Sequence, residues 1–160
     1  MRAFVNLASD ADWRLVVSWL LAALRPTGPY PVLVVYSEQG SAKNSLVRAL
    51  LCLVDPNTAA LRTTSREERA LIIAATNGWV VALDNLSYLS DWLSDALCRL
   101  ATGSGFATRE LYTDADETIF AAQRPIVMNG IEEVATRGDL LDRAITLYLP
   151  MIPEDKRKEE

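Results

Sequence analysis

The sequence predicts an α/β fold: a three-layer α/β/α sandwich around a mostly parallel, five-stranded sheet. Short, uninterrupted apolar runs recur along the chain, as expected for strands that are buried on both faces. Segments with apolar residues at helical spacing separate these runs, which is the alternation that parallel sheets require. Each run ends at a polar residue or a loop, and parallel sheets bind ligands beyond the carboxyl ends of their strands.

The composition is that of one ordinary globular domain. The 160 residues suffice for a sizeable core, and 50% are hydrophobic and 23% charged. We expect one domain over residues 1–150, with an N-terminal helix (10–25) packed on it and a charged tail at 151–160. The net charge of −5 gives no general attraction to nucleic acid, so DNA contact requires a local basic patch or an assembly of subunits.

The residue types exclude several kinds of site. The chain has no histidine, so it cannot form a His-based catalytic triad or a His-ligated metal site. Its two cysteines, Cys52 and Cys98, lie in apolar helical stripes and are expected in the core of a cytoplasmic protein. The apolar run from Leu15 to Leu24 is too short to span a bilayer, so we expect no membrane partner.

The first third of the chain predicts a helix, a strand and a second helix. Ser9 and Asp12 form a capping pattern ahead of the first helix. The apolar run Val32–Tyr36 lies between a Pro-rich approach and a Gly-containing loop, which predicts the first strand. A helix over residues 45–54 follows and ends before Pro56, because proline disfavours helical backbone in the residue that precedes it.

Two strands and a helix are predicted next. Residues 60–63 are a short extended piece and the candidate for the second strand. The capping box S-R-E-E at residues 65–68 opens a helix that reaches about Thr76. The apolar run 79–83 then predicts the third strand, which ends at Asp84.

The last third completes the alternation of helices and strands. A helix is predicted over residues 91–100, and the polar stretch 106–120 fits either a hairpin or a mobile loop. The remaining predicted elements are a strand at 125–128, a helix at 139–143 and a strand at 144–149. Because parallel strands end at the same edge of a sheet, the polar residues Ser37, Asp84 and Asn129 should converge on one crevice.

A phosphate-binding loop is predicted in the segment SEQGSAKNS, between the first strand and the second helix. Backbone N–H groups of such a loop and of the helix N-terminus point at an anion, and a lysine adds a positive charge. The strict pattern GxxxxGK[ST] is met only at Lys43, since Ser37, Ala42 and Asn44 occupy its other fixed positions. An ordinary turn with a solvated lysine is therefore the alternative. The candidate nucleotide-binding residues are Gly40, Ser41, Ala42, Lys43, Asn44 and Ser45.

Asp84 is the candidate acid on the magnesium side of the site. It ends an apolar strand about 40 residues after the loop, where such an aspartate is expected, although an aspartate that caps the next turn fits too. Asn44 offers only an amide oxygen, a poorer magnesium ligand than a hydroxyl, so we expect Asp84 and Ser45 to bind the metal. Ala42 replaces a glycine at little cost if its backbone is already helical.

Asparagines occupy two further positions of interest. Asn85 stands where many ATPases carry the glutamate that polarises the attacking water, and an amide cannot accept that proton. Either Asp91 or Glu110 supplies the base, or hydrolysis is slow. Asn129 could orient the water or the terminal phosphate, although an Asn-Gly pair is also common in turns.

Two arginines, Arg137 and Arg143, precede the last strand. An arginine there could face a neighbouring subunit and stabilise charge on the transferred phosphoryl group. A surface ion pair, such as Arg143 with Asp139 four residues earlier, is the alternative.

The segments RLATGSGFATRELYTD, QRPIVMN and DLLDRAITLYLP, in that order, resemble the ATPase core of superfamily 3 helicases. The likeness is greatest to the primase-helicase-type ATPases of phages and mobile elements, and it covers about residues 31–150. The resemblance implies a P-loop, AAA+-like core that uses ATP and Mg²⁺, assembles as a homo-oligomeric ring and acts on DNA.

The resemblance also assigns roles by position. Lys43 would hold the phosphates, Asp84 the metal, Asn129 would be the sensor, and Arg143 the finger that reaches the next subunit's site. The family's DNA-touching segment would fall at Arg109 and Tyr112. The sequence therefore predicts an ATP-hydrolysing motor module that acts on DNA. The alternative is a degenerate nucleotide-binding or assembly module with little or no hydrolysis, which Asn44 and Asn85 favour.

Overall fold

The computed structural model describes residues 2, 5–56, 68–104, 106–109, 117–120, 122–132 and 134–156. The helices are α1 (Asp10–Ala23), α2 (Lys43–Val54), α3 (Glu68–Asn77), α4 (Asp91–Thr102) and α5 (Gly138–Leu141). The strands are β1 (Val32–Tyr36), β2 (Val81–Leu86), β3 (Phe106–Arg109), β4 (Glu117–Phe120), β5 (Ile126–Gly130) and β6 (Ala144–Tyr148). In the part described, no helix is both long and apolar enough to cross a membrane.

A parallel sheet of four strands forms the centre of the fold, in the order β2-β5-β1-β6. The α/β class is confirmed, but the prediction of five strands in this sheet is wrong for the described residues. The candidate second strand at 60–63 lies outside them, as does Ser65 of the predicted capping box. The stretch 106–120 contributes the antiparallel pair β3–β4, which favours the hairpin over the loop.

Helices cover both faces of this sheet because successive strand residues point to opposite sides. Val32 and Val34 pack with Leu97 of α4, in a cluster that also includes residues of α3 and α5. Leu33 and Val35 join the other cluster, which includes residues of α1 and α2. These two apolar clusters make the three layers that the sequence predicts.

The N-terminal helix is fixed as its capping pattern predicts. The Ser9 side chain accepts a hydrogen bond from the backbone N–H of Asp12, and the Ser9 hydroxyl donates to the Asp12 carboxylate at 2.8 Å. The buried residues Val16, Trp19 and Ala23 of α1 pack into the cluster that α2 shares. This contact joins the N-terminal segment to the helix that begins at Lys43.

The two cysteines differ in their surroundings. Cys52 is exposed on α2, contrary to the prediction, because the buried face of that helix is formed by its neighbours Leu50 and Leu51. Cys98 is half-buried against the core, and burial raises the pKa of its thiol. Apolar spacing alone did not distinguish the edge of the α2 stripe from its centre.

Candidate functional site

A pocket of about 380 Å³ opens at the carboxyl ends of the parallel strands, lined by the loop after β1, the end of β2 and the residue after β5. Its volume is within the range of small-molecule sites, roughly 300–1,000 Å³. The lining residues are Gln39, Gly40, Ser41, Ala42, Lys43, Asn44, Ser45, Asp84, Asn85 and Ile131. The structure therefore brings together all six candidate loop residues and Asp84.

The loop after β1 turns sharply to reach α2. The buried Ser37 and Ser41 hydroxyls are in hydrogen-bond contact across this turn. Gly40 and Ala42 both have left-handed backbone, with φ of 84° and 63°. The condition under which Ala42 would replace glycine at little cost is not met: Ala42 is the N-cap of α2, in a conformation that glycine adopts more easily.

Lys43 is the first residue of α2, two residues earlier than the predicted start of that helix. Its Nζ donates to the Ser37 carbonyl oxygen at 3.4 Å, so the ammonium group lies against the loop. The first N–H groups of an α-helix have no partner within the helix and form its positive end. The pocket thus combines a helix N-terminus with a lysine, two features that attract an anion.

Asp84 faces the loop from the neighbouring side of the pocket. Its Oδ1 atom is buried and has no hydrogen-bond partner in the described part of the protein. A buried carboxylate oxygen without a partner is costly unless a cation or a donor meets it. The described residues contain no group of three or more Cys, Asp or Glu side chains that could hold a metal alone. A cation bound at Asp84 would therefore take its other oxygen ligands from a phosphate-bearing ligand and from water, as Mg²⁺ commonly does.

Asn129 connects the two sides of the pocket. This fully buried residue accepts a hydrogen bond from the Asn85 backbone N–H at 2.8 Å and donates one to Asn44 Oδ1 at 3.0 Å. Because a backbone N–H can only donate, it fixes which end of the Asn129 amide faces which partner. The Asn44 oxygen is consequently engaged by Asn129.

Asn85 lies at an irregularity where the pairing of β2 with β5 shifts between Leu83 and Leu86. Its φ is 55°, and its side chain is exposed at the pocket. The predicted strand end at Asp84 is wrong, because β2 continues through this irregularity to Leu86. Of the two alternative bases, Asp91 lies outside the pocket lining beside Arg137, and Glu110 lies outside the described residues.

The two arginines before β6 have different surroundings. Arg137 is held by the Asp95 carboxylate at 3.1 Å and by Asp91 at 3.7 Å. Arg143 is exposed, and its Nη1 donates to the Asp139 backbone carbonyl at 2.5 Å rather than to the carboxylate. Arg143 precedes Ala144, which pairs with Val32 at the start of β1. Arg143 therefore lies at the amino-terminal ends of the parallel strands, opposite the pocket.

Other predicted residues are placed only in part. Arg109 ends β3, with its side chain outside the described part, and Tyr112 lies outside it altogether. Sequence reasoning missed Gln39 and Ile131 in the pocket lining, although Gln39 stands within the loop segment and Ile131 follows the Asn-Gly pair. It also missed Asn6, which carries no motif and contacts the loop from behind.

Comparisons with known proteins give one family and several structures of similar fold. The family model of the actinomycete integrative conjugative element replication protein matches residues 1–160. No curated protein matches the chain significantly. Solved structures are similar over most of this chain at low identity, so their likeness concerns the fold.

The A-form apo structure of the NrS-1 C-terminal region has a TM-score of 0.56 at 13% identity, over 88% of this chain and 34% of that one. A ligand complex of JCV helicase has a TM-score of 0.51 at 14% identity, over 88% of this chain and 46% of that one. NtrX from Brucella abortus has a TM-score of 0.52 at 12% identity, over 89% of this chain and 37% of that one. The chain thus spans between about a third and a half of these structures.

Proposed function

This chain belongs to the actinomycete integrative conjugative element replication protein family, and on that basis we propose that it is an ATP-binding and ATP-hydrolysing motor module that acts on DNA. The domain spans residues 1–150 in this proposal. The helicase-like fold, shared with JCV helicase, supports it. The family is one of replication proteins, which relates this chain to DNA replication.

One observation carries the nucleotide-binding part of the proposal: the partnerless, buried Oδ1 of Asp84 lines the same pocket as Lys43. The Lys43 ammonium group suits an anionic ligand, and the Asp84 carboxylate suits a cation that is bound to that ligand. Nucleoside triphosphate with Mg²⁺ is the common ligand of that kind. Asp84 and Ser45 would hold the ion, which would neutralise charge on the phosphates.

The remaining loop residues would bind and orient the phosphates. The N–H groups of Gly40, Ser41 and Ala42 and those of the first turn of α2 are the donors, and Lys43 moves from the Ser37 carbonyl to a phosphate oxygen. During phosphate binding, Asn129 would keep Asn44 at a fixed distance from Asn85, which lies in the irregular part of β2. Arg143 lies too far from its own pocket, so it would complete the pocket of a second copy in a ring.

A degenerate binding or assembly module is the second candidate, and the asparagine contacts favour it. Asn44 Oδ1 is engaged by Asn129, and Asn85 offers no carboxylate where an attacking water would need a base. Nucleotide would then bind and promote assembly without appreciable turnover. DNA contact through Arg109 and Tyr112 belongs to the first candidate alone.

Thermal melting with and without Mg-ATP tests nucleotide binding. A ligand at 100 times its Kd stabilises a protein by about 2.7 kcal/mol. For a domain of this size, that corresponds to a rise in Tm of roughly 5–10 °C. An unchanged Tm at millimolar Mg-ATP would refute both candidates.

Lys43→Ala and Arg48→Ala form a matched pair for the binding and ATPase assays. Both remove one positive charge from α2, but Arg48 is exposed and outside the pocket lining. We expect Lys43→Ala to abolish the shift in Tm and Arg48→Ala to retain it. Steady-state ATPase of the wild type, with and without single-stranded DNA, then separates the candidates: turnover that Lys43→Ala removes supports the motor, and its absence supports the binding module.

A further inference from the structure

The predicted phosphate-binding loop is held from behind by two distant segments of the chain. The Asn6 side-chain amide donates to the Ser41 carbonyl at 3.0 Å and to the Pro150 carbonyl at 2.5 Å. The backbone N–H of Ile152 donates to the Gly40 carbonyl at 3.3 Å. We call these three contacts the loop clamp. Asn6 lies 35 positions before Ser41 and 144 positions before Pro150, so segments that are far apart in the sequence meet at this loop.

The orientation of the Asn6 amide follows from its partners. Carbonyl oxygens only accept hydrogen bonds, so the NH₂ group must face both of them, and it has one hydrogen for each. The backbone on either side of Asn6 is anchored, because Leu7 is buried in the cluster shared with α2 and Val5 packs against that cluster. The side chain is therefore presented to the loop from a fixed position.

The loop clamp determines which way the loop N–H groups face. In a planar trans peptide the carbonyl oxygen and the amide hydrogen point in opposite directions. The Gly40 carbonyl and the N–H of Ser41 share one peptide, and the Ser41 carbonyl and the N–H of Ala42 share the next. Because both carbonyls face the clamp, both N–H groups face the other side of the loop, where the pocket lies.

We propose that Asn6 is a positioning residue for the nucleotide site, which turns the N–H groups of Ser41 and Ala42 toward the phosphate oxygens of the ligand. This inference rests on the proposed nucleotide-binding function. Asn6 does not line the pocket, so it acts on the ligand only through the loop. Ala42 makes such support necessary, since its left-handed backbone is strained in a residue with a Cβ atom.

Asn6→Ala in the full chain tests the proposal with two measurements. The first is hydrogen exchange of the amides of residues 39–44 without nucleotide, which we expect to become about tenfold faster because the loop loses its hydrogen bond from Asn6 and its link to the Pro150 segment. The second is the Kd for Mg-ATP by titration, which we expect to rise about tenfold for the same reason. Asn6→Asp keeps the size of the side chain but loses its hydrogen-bond donors, so it should give the same two changes. It replaces Asn6→Ala as the test variant if Asn6→Ala does not fold.

Gln123→Ala is the matched control. The Gln123 amide also makes two hydrogen bonds between distant segments, with the Gly28 N–H at 2.9 Å and the Thr102 carbonyl at 2.8 Å, away from the pocket. It should lower the Tm without changing loop exchange or the Kd. If the Asn6 variants only lower the Tm as this control does, Asn6 is merely structural and the proposal is overturned. If the wild type binds no Mg-ATP, the proposed function fails, whereas unchanged loop exchange in the Asn6 variants refutes the clamp by itself.

Discussion

Ala42 and Asn85 are the two non-glycine residues with positive φ in the described part of the chain, and both line the pocket. Left-handed backbone costs an ordinary L-residue about 1–2 kcal/mol, and asparagine tolerates it better than most. Strain of this kind persists where the surrounding structure holds it, and it collects at functional sites. The backbone at these two residues therefore supports the same site as the side-chain contacts do.

Ala42→Gly should stabilise the protein. Glycine removes the strain at φ 63°, and this gain exceeds the entropy that glycine loses on folding, so the free energy of unfolding should rise by about 0.5–1 kcal/mol. Urea denaturation measures the change. Ala49→Gly, in the interior of α2, is the control and should destabilise by about 1 kcal/mol. A similar loss of stability in both variants would contradict the strain at Ala42.

Asn85→Glu should accelerate ATP hydrolysis. A carboxylate at this exposed pocket position can accept the proton of an attacking water, and a general base contributes about 10²–10⁴ in rate. Glutamate is less tolerant of positive φ than asparagine, so the variant should lose about 1 kcal/mol of stability. Asn85→Gln, of equal length and without charge, is the control in a steady-state ATPase assay. Equal rates for the two variants, with Mg-ATP bound to both, would rule out this role for position 85.

At the scale of elements, β5 positions the site although it comes late in the chain. It pairs with both β1 and β2, which places Asn129 between the start of α2 and the bulge in β2. The sheet therefore holds the lysine side and the aspartate side of the pocket at a distance set by one intervening strand. The buried amide of Asn129 links the two sides directly.

Asn129→Ala should destabilise the protein by about 2 kcal/mol, because it removes a fully buried amide and leaves the Asn85 N–H and Asn44 Oδ1 without this partner. Urea denaturation measures this loss. Ser94→Ala is the control, since the buried Ser94 hydroxyl has no hydrogen-bond partner among the described residues and its removal should be nearly neutral. The double variant with Asn44→Ala should lose less than the sum of the single losses. Strict additivity would show that the two amides do not interact.

Local patterns predicted single elements better than their assembly. The strand Val32–Tyr36 was predicted to the residue, because proline and glycine signals bound it on both sides. The end of β2 was missed, because Asp84 and Asn85 look like the start of a loop and only the pairing with β5 shows that the strand continues. Sheet order and the contact of Asn6 with Ser41 depend on residues far apart in the chain, for which periodicity carries no signal.

At the scale of the whole molecule, the pocket and Arg143 lie at opposite ends of the parallel strands. The pocket follows Tyr36 at the end of β1, and Arg143 precedes Ala144, the partner of Val32 at the start of β1. Five strand residues separate these levels, a distance of about 16 Å. A site that uses both Lys43 and Arg143 therefore needs two copies of the chain.

Mixing two inactive variants should restore ATPase activity. Lys43→Ala removes the lysine proposed to bind phosphate and Arg143→Ala removes the arginine proposed to reach the next copy, so neither variant should turn over ATP alone. In a random equimolar mixture, about a quarter of the contacts between copies combine an intact Lys43 with an intact Arg143, so about a quarter of the wild-type rate should return.

The control mixture pairs Lys43→Ala with the double variant that lacks both side chains, and it should stay inactive. The assay is run at high protein concentration, with assembly followed by analytical ultracentrifugation. Wild-type turnover by Arg143→Ala alone, or an inactive mixture that assembles normally, would exclude Arg143 from the site.

The parallel direction of β1 and β6 also restricts the symmetry of any such assembly. A contact between the pocket edge of one copy and the Arg143 edge of the next joins two different surfaces. A two-fold axis would join like surfaces and leave each arginine facing an arginine. Head-to-tail contacts close into a ring when the rotation per copy divides a full turn, and otherwise they continue into a helical filament. A ring has two unlike faces and a filament two unlike ends, so the proposed DNA strand would meet either product in a defined direction.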